Sequence, residues 1–244
     1  MERIPEEVLR TYEVSESYQK LKILRNEGRE ILQRYYRKYK DSLPYFKEVT
    51  AKKLDHERYG TGMTLPRGRL CPGNMQELII GNVKRGRIVK EYVNPGYVYG
   101  YDKEDNLITS DMVEGEIRDR EYIFWTDPYT QVGLCYDKLL GLECGTISEV
   151  CYSEKKRIIR YLFGVLYDGK ITSMVMERYK YEGDKAFVTF IDSSIDDEDG
   201  FDYIAGEHIV LDMDEQGTVL KYKAYMDMTP EEVIEKAPKY KLTL

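Results

Sequence analysis

The 244-residue sequence predicts an α+β fold, with an N-terminal helix or helix pair, a long antiparallel β-meander and a short C-terminal helix. Near the N-terminus, apolar residues recur at three- and four-residue steps, as they do on one face of an amphipathic helix. From Gln76 to Tyr225, short runs rich in Val, Ile, Tyr and Phe alternate with turn residues, which is typical of a meander. A chain of this length buries a sufficient core without disulfide or metal support.

The first predicted element is a helix within Ser15 to Asp41, and Pro44 is expected to mark its end because proline interrupts the hydrogen-bond ladder. A short helix from Pro5 to about Thr11 is expected before it, with Pro5 in the first turn. We therefore assign residues 1–58 to an N-terminal helical segment. Its apolar face is formed by Tyr18, Leu21, Leu24, Ile31, Leu32, Tyr35 and Tyr39.

Residues 59–75 are expected to form a connecting loop, because Gly and Pro are too frequent there for a regular element. The meander is predicted to follow, with tight reversals at Asp168-Gly169, Gly183-Asp184 and Gln216-Gly217. The predicted strands are Glu77 to Val83, Arg87 to Tyr92, Tyr97 to Tyr101, Leu107 to Asp111, Ile117 to Trp125, Gln131 to Tyr136, Ile147 to Tyr152, Arg157 to Tyr167, Lys170 to Tyr181, Ala186 to Ile191, His208 to Met213 and Thr218 to Tyr225.

The last predicted element is a helix from Thr229 to about Ala237. Thr229 is placed to cap it, Pro230 occupies the first helical position and Glu232 completes a capping box. With this helix, the β-meander domain is assigned to residues 76–244.

Several predicted turns share a pattern in which Tyr, often with an acidic residue, precedes the turn and an aliphatic run follows it. The pattern resembles the YD repeat, the β-hairpin unit of Rhs-type proteins, in patches between residues 97 and 225. The resemblance implies that each copy forms a hairpin. The copies are Tyr101-Asp102-Lys103-Glu104-Asp105-Asn106-Leu107-Ile108, Tyr152-Ser153-Glu154-Lys155-Lys156-Arg157-Ile158-Ile159, Tyr167-Asp168-Gly169-Lys170-Ile171, Tyr181-Glu182-Gly183-Asp184-Lys185-Ala186-Phe187 and, without the Tyr, Met213-Asp214-Glu215-Gln216-Gly217-Thr218-Val219-Leu220.

The sequence offers little for a standard catalytic set, because its only histidines are His56 and His208. We expect His56 to be a solvated surface residue and His208 to be packed in a strand. Trp125 is expected in the core or on a sheet face. We expect no cofactor and no metal site, and we expect the four cysteines to be reduced and mostly buried, because they lack CxxC spacing.

Charge is distributed unevenly along the chain. Residues 1–58 hold 14 Lys and Arg against 11 Asp and Glu, whereas Asp192 to Glu215 hold ten carboxylates and no Lys or Arg. Such a run repels a phosphate backbone and attracts a basic partner, so we expect no nucleic-acid binding. The run lacks the ligand order of an EF-hand loop. With neither a signal-peptide pattern nor an apolar run long enough to span a bilayer, we expect a cytoplasmic protein without membrane contact.

These observations lead to the hypothesis of a non-catalytic interaction protein that binds a basic protein partner through an acidic face. The general profile is similar to that of immunity proteins of bacterial polymorphic toxin systems. One alternative is a carbohydrate-related protein or glycoside hydrolase that uses paired carboxylates and tyrosines on a sheet. Another is a structural β-repeat fragment of a larger assembly. The residues expected to bind the partner are Asp196, Asp197, Asp199 and Asp202.

Overall fold

The computed structural model describes residues 16–61, 75, 88–91, 96–115, 117–137, 143–196, 201–214 and 219–226. The predicted helices at residues 5–11 and 229–237, the predicted strand at residues 77–83 and the reversal at Gln216-Gly217 lie outside these ranges. Among the described residues, no helix combines the length and apolar character needed to cross a membrane.

Two helices are described, α1 (Glu16–Tyr39) and α2 (Leu43–Lys53). The first confirms the helix predicted within residues 15–41. The second differs from the sequence prediction, because Pro44 lies in the first turn of α2 and does not simply end α1. A proline is tolerated in a first turn, where its missing N–H would have no intrahelical acceptor.

The described strands confirm the predicted antiparallel meander, in which most strands are longer than the sequence indicated. They form one twelve-stranded sheet in the order β12-β11-β10-β9-β8-β7-β6-β5-β4-β3-β1-β2. The strands are β1 (His56–Gly60), β2 (Ile88–Val89), β3 (Gly96–Tyr101), β4 (Leu107–Glu114), β5 (Ile117–Asp127), β6 (Thr130–Asp137), β7 (Glu143–Tyr152), β8 (Ile158–Tyr167), β9 (Lys170–Glu182), β10 (Lys185–Asp196), β11 (Phe201–Met213) and β12 (Val219–Met226).

Strand β1 was not predicted, since His56 to Gly60 carries polar and charged residues without an alternating apolar pattern. It is held by backbone pairing on both sides, with β3 along its whole length and with β2 at Tyr59 and Gly60. Position between two strands, and not intrinsic preference, therefore makes this segment extended.

The hairpin turns follow the expected residue chemistry. Asp168 and Gly169 have φ values of 48° and 70°, as a two-residue turn with left-handed backbone requires, and Gly183 has a φ of 63°. In the first YD-like copy, the Asp102 carboxylate accepts hydrogen bonds from the backbone N–H groups of Glu104 and Asn106. These contacts explain the turns at the ends of β3, β8 and β9.

The chain divides into two compact units, which we call unit A (residues 31–172) and unit B (residues 1–30 and 173–244). Neither coincides with the segments 1–58 and 76–244 of the sequence assignment, because α1 contributes to both units. In unit A, Leu32 of α1 lies over Gly164 of β8, where an added Cβ would be 2.7 Å from Leu32 Cδ1. Fully buried side chains of this core include Leu134, Ile147 and Leu162.

The core of unit B is built in a similar way. Leu21 of α1 packs directly over Gly206 of β11. The strands contribute fully buried Met174, Met176 and Ile191. In both units, a glycine in a strand lets a helix leucine approach the backbone closely.

Candidate functional site

The acidic run predicted as a partner-binding segment lies in unit B, at the end of β10 and along β11. Asp196 is the last residue of β10 and pairs through its backbone with Phe201. Its side chain and the whole of Asp197 and Asp199 lie outside the described part of the structure. The strands extend further into the run than the sequence indicated, so several carboxylates have fixed positions on the sheet.

Asp202 makes an intramolecular ion pair with Arg25 of α1. The Arg25 side chain is almost fully buried, with 4% of its surface exposed, and a buried guanidinium needs an anion beside it. Asp202 therefore has a structural contact, which the sequence did not indicate because the two residues are 177 positions apart.

Two other residues of the run share one face of the β10–β11 hairpin with an exposed tyrosine. Asp192 pairs with Ala205, and side chains two residues apart on a strand project from the same face, so Asp192, Tyr203 and Glu207 lie together. The Tyr203 side chain is 44% exposed. We call Asp192, Tyr203 and Glu207 the acidic face.

The electrostatics of the acidic face favour a positively charged ligand. Partial desolvation raises the pKa of Asp192 above its ordinary value, although much of the side chain is exposed. Burial of the Tyr203 hydroxyl, together with the charges of Asp192 and Glu207, raises the pKa of Tyr203. Among the described residues, no ion pair includes Asp192 or Glu207.

The sequence did not indicate these three residues as a group. The predicted strands ended at Ile191 and began again at His208, so Asp192, Tyr203 and Glu207 fell between them. Buried and exposed side chains continue to alternate past the predicted strand ends, with Ser193 and Ile204 both buried. This alternation indicates that the two strands are longer than predicted. With the strands extended, Asp192 and Glu207 fall on the opposite face from these buried residues.

Unit A contains buried carboxylates that are neutralised by neighbours. Glu149 accepts hydrogen bonds from Tyr35 Oη at 2.8 Å and from Arg160 Nε at 2.9 Å. Asp111 accepts two from Arg120, at 2.8 and 2.7 Å. Because each carboxylate already faces a guanidinium, these pairs stabilise the sheet and do not resemble a general acid or base in a cleft.

Burial also opposes reactivity at the described cysteine thiols. Burial and the charges of Cys135 and Glu121 raise the pKa of the Cys144 thiol to about 12. Burial, followed by the charge of Glu149, raises the pKa of the Cys151 thiol. Cys135, Cys144 and Cys151 are free and buried, as the sequence predicted, whereas Cys71 lies outside the described residues. A protonated, buried thiol is a poor nucleophile.

The two histidines lie in structural settings. His56 contacts Asp55 and Asp105 at 3.1 and 3.2 Å and stacks on Tyr101. His208 is buried and its Nδ1 lies 3.2 Å from Thr189 Oγ1, which confirms the predicted packed imidazole. Among the described residues, no group of three or more His, Cys, Asp or Glu side chains is suited to hold a metal ion.

A cavity of about 420 Å³ lies in unit A, where α2 meets β4 and β5. Phe46 is at the centre of its aromatic lining, with its ring centroid 4.9 Å from that of Phe124 and 5.8 Å from that of Tyr122. Tyr45 and Trp125 are 63% and 46% exposed, so they form the open part of the lining. The lining residues are Tyr39, Tyr45, Phe46, Val49, Thr50, Lys53, Asp102, Asn106, Leu107, Ile108, Tyr122, Ile123, Phe124, Trp125 and Thr126.

Among the described residues, the cavity lining contains one ammonium and one carboxylate group. Asp102 uses its carboxylate within the β3–β4 turn, where it accepts hydrogen bonds from the backbone of Glu104 and from the backbone and side chain of Asn106. Lys53 is exposed at the end of α2, and in the described part of the chain no ion pair includes it. Despite desolvation, hydrogen bonds from Asn106 and Glu104 and the charge of Lys53 lower the pKa of Asp102, so the cavity holds one charge of each sign. The hydrogen-bond donors of Lys53 are less engaged than the oxygens of Asp102.

Comparison with known proteins gives no relative: no family model, curated protein or solved structure matches the chain.

Proposed function

We propose that the protein is a non-catalytic interaction module that binds a basic protein partner through the acidic face of unit B. The observation that carries this proposal is the placement of Asp192, Tyr203 and Glu207 on one face of β10–β11. Asp196, Asp197 and Asp199 add negative charge in the neighbouring sequence. An immunity-type protein, which blocks a basic toxin by binding it, is a form of this function.

The chemistry of the acidic face supports a cationic partner. Two carboxylates attract Lys or Arg side chains and accelerate their encounter, because the local potential follows the summed charge. Tyr203 presents an exposed aromatic ring, and a cation held over a tyrosine ring is stabilised by the ring quadrupole. Tyr is also enriched in protein interfaces.

Asp202 has a different role in this proposal from the one the sequence suggested. Its ion pair with Arg25 holds α1 against the sheet of unit B. Neutralising Asp202 would therefore weaken folding as well as any attraction for the partner. For this reason Asp192 and Glu207 are the better positions for testing the interaction.

A carbohydrate-related enzyme has less support. Glycoside hydrolysis requires two carboxyl groups that flank the scissile bond, about 5 to 10 Å apart. Within the described residues, the aromatic cavity is lined by one carboxylate, Asp102, which is engaged by the β3–β4 turn. The third hypothesis, a β-repeat fragment, requires an open sheet edge, and Lys221 and Lys223 on the edge strand β12 disfavour pairing with another strand.

Affinity capture from the native host tests the proposal. The bait proteins are the wild type, the double variant Asp192→Asn/Glu207→Gln and a charge-matched control, Asp184→Asn/Glu154→Gln. The two control sites are exposed and lie in turns, Asp184 between β9 and β10 and Glu154 between β7 and β8. We expect a basic protein to be captured by the wild type and the control at low salt, and to be lost with the double variant. Recovery of the same proteins on all three baits would contradict the proposal.

A further inference from the structure

The aromatic cavity of unit A has no role in the proposed function, and its composition is unusual for a core void. Six of the lining residues that the structure describes carry aromatic rings: Tyr39, Tyr45, Phe46, Tyr122, Phe124 and Trp125. Its volume of about 420 Å³ lies within the range of about 300–1,000 Å³ that is typical of small-molecule sites.

The lining combines a buried floor with an exposed mouth. Phe46 and Tyr122 are buried, and Tyr39 meets Phe124 edge to face with 5.2 Å between ring centroids. Trp125 is fixed by contact with Tyr152, at 5.6 Å between ring centroids. Because Phe46 stacks on both Phe124 and Tyr122, the rings open to another planar ring are Tyr45 and Trp125 at the mouth.

The polar groups at the cavity determine the charge of a ligand. The Asp102 carboxylate already accepts hydrogen bonds from Asn106 and Glu104, so it has little capacity left for a cationic ligand. Lys53 provides an ammonium group at the rim, and an ammonium pairs with a carboxylate through a charge-assisted hydrogen bond. The donors of Lys53, which are less engaged than the oxygens of Asp102, therefore suit a ligand with a carboxylate.

We infer that this cavity binds a small planar aromatic carboxylate. The ring of the ligand packs against Tyr45 and Trp125 above the floor formed by Phe46 and Phe124, and its carboxylate pairs with Lys53. A carbohydrate is less well suited, since its many hydroxyl groups require more polar partners than this lining supplies. The inference is independent of the acidic face, because all of the lining residues belong to unit A.

A titration with two matched probes tests the inference. The probes are 2-naphthoate and its uncharged analogue 2-naphthamide, each titrated into the full-length protein by isothermal titration calorimetry. We expect both to bind, with naphthoate about tenfold tighter because only it pairs with Lys53. Trp125 is the only tryptophan of the chain, so a change in tryptophan emission on binding places the probe at the cavity.

Two variants separate the charge from the ring contacts. Lys53→Met should remove the preference for naphthoate, whereas Lys47→Met, which removes an exposed charge from the same helix, should leave the preference unchanged. Tyr45→Ala should weaken both probes about fivefold, within the usual range for loss of one aromatic contact. Tyr167→Ala is its control, because Tyr167 is 71% exposed and does not line the cavity.

Three results would overturn the inference. The first is the absence of binding by either probe to protein that circular dichroism shows to be folded. The second is naphthoate binding that neither Lys53→Met nor Tyr45→Ala weakens, which would place the probe elsewhere. The third is binding of cellobiose in preference to both probes, which would identify a carbohydrate site. The double variant Asp192→Asn/Glu207→Gln should bind naphthoate as the wild type does. The cavity can therefore be confirmed or rejected independently of the proposed binding of a basic partner.

Discussion

At the scale of single residues, buried ionisable groups are stabilised by partners that lie far away in the sequence. Arg25 pairs with Asp202, 177 positions away, and Glu149 accepts a hydrogen bond from Tyr35, 114 positions away. The sequence predicted the packing of His208 from the alternation of its strand, because a strand pattern is local. It did not predict these contacts, because a charged residue in a strand pattern does not identify its partner.

The buried Glu149 provides the residue-scale prediction. Glu149→Gln should lower the free energy of unfolding by about 2 kcal/mol, because Arg160 would lose its counter-ion; the 25% exposure of Arg160 keeps the loss below that of a fully buried pair. Glu154→Gln, in the exposed β7–β8 turn, should change the free energy of unfolding by less than about 0.5 kcal/mol. Urea denaturation measures both, and equal losses for the two variants would show that the Glu149 charge has no structural role.

At the scale of elements, the spacing of apolar residues and the residue types at turns predicted most of the helices and strands that the structure describes. Helix α1 and most of the strands follow local patterns that depend on residues close in sequence. Helix α2 and strand β1 were not predicted, for separate reasons. A proline such as Pro44 is compatible both with the end of one helix and with the first turn of the next. His56–Gly60 is extended because β2 and β3 pair with it.

The packing of α1 on β8 gives the element-scale prediction. Gly164→Ala should lower the free energy of unfolding by about 2 kcal/mol, because the new Cβ would clash with Leu32 Cδ1. In the background of Leu32→Ala, the same substitution should cost at least about 1 kcal/mol less, since the clashing methyl groups are absent. A double-mutant cycle in urea measures this coupling, and strictly additive losses would indicate that the helix does not depend on this contact.

At the scale of the whole molecule, the sequence predicted the fold class and the meander, but not the final arrangement of the sheet. Strand order follows chain order from β3 to β12, as short hairpin connections require. Strand β1 lies between β2 and β3, and no local pattern within His56–Gly60 indicates this position. The candidate site was predicted only in part: the acidic run was identified, whereas the Asp202–Arg25 ion pair and the grouping of Asp192, Tyr203 and Glu207 on one strand face were not. On that face, Asp192 and Tyr203 are exposed and Glu207 is half-buried.

The two proposed sites use opposite charges in separate units. The acidic face of unit B presents Asp192 and Glu207, whereas the aromatic cavity of unit A presents Lys53. A net charge of −7 alone would attract any polycation weakly. The proposed function therefore requires that specific carboxylates, and not the overall charge, determine binding.

A titration with a hexalysine peptide at several salt concentrations tests this requirement most directly. By calorimetry, the wild type should bind the peptide with an affinity that falls as salt increases, because salt screens exposed charges. At low salt, Asp192→Asn/Glu207→Gln should weaken binding about tenfold, whereas the charge-matched Asp184→Asn/Glu154→Gln should change it less than about twofold. Equal weakening by the two double variants would show that net charge alone attracts the peptide, and would contradict the acidic face as the binding surface.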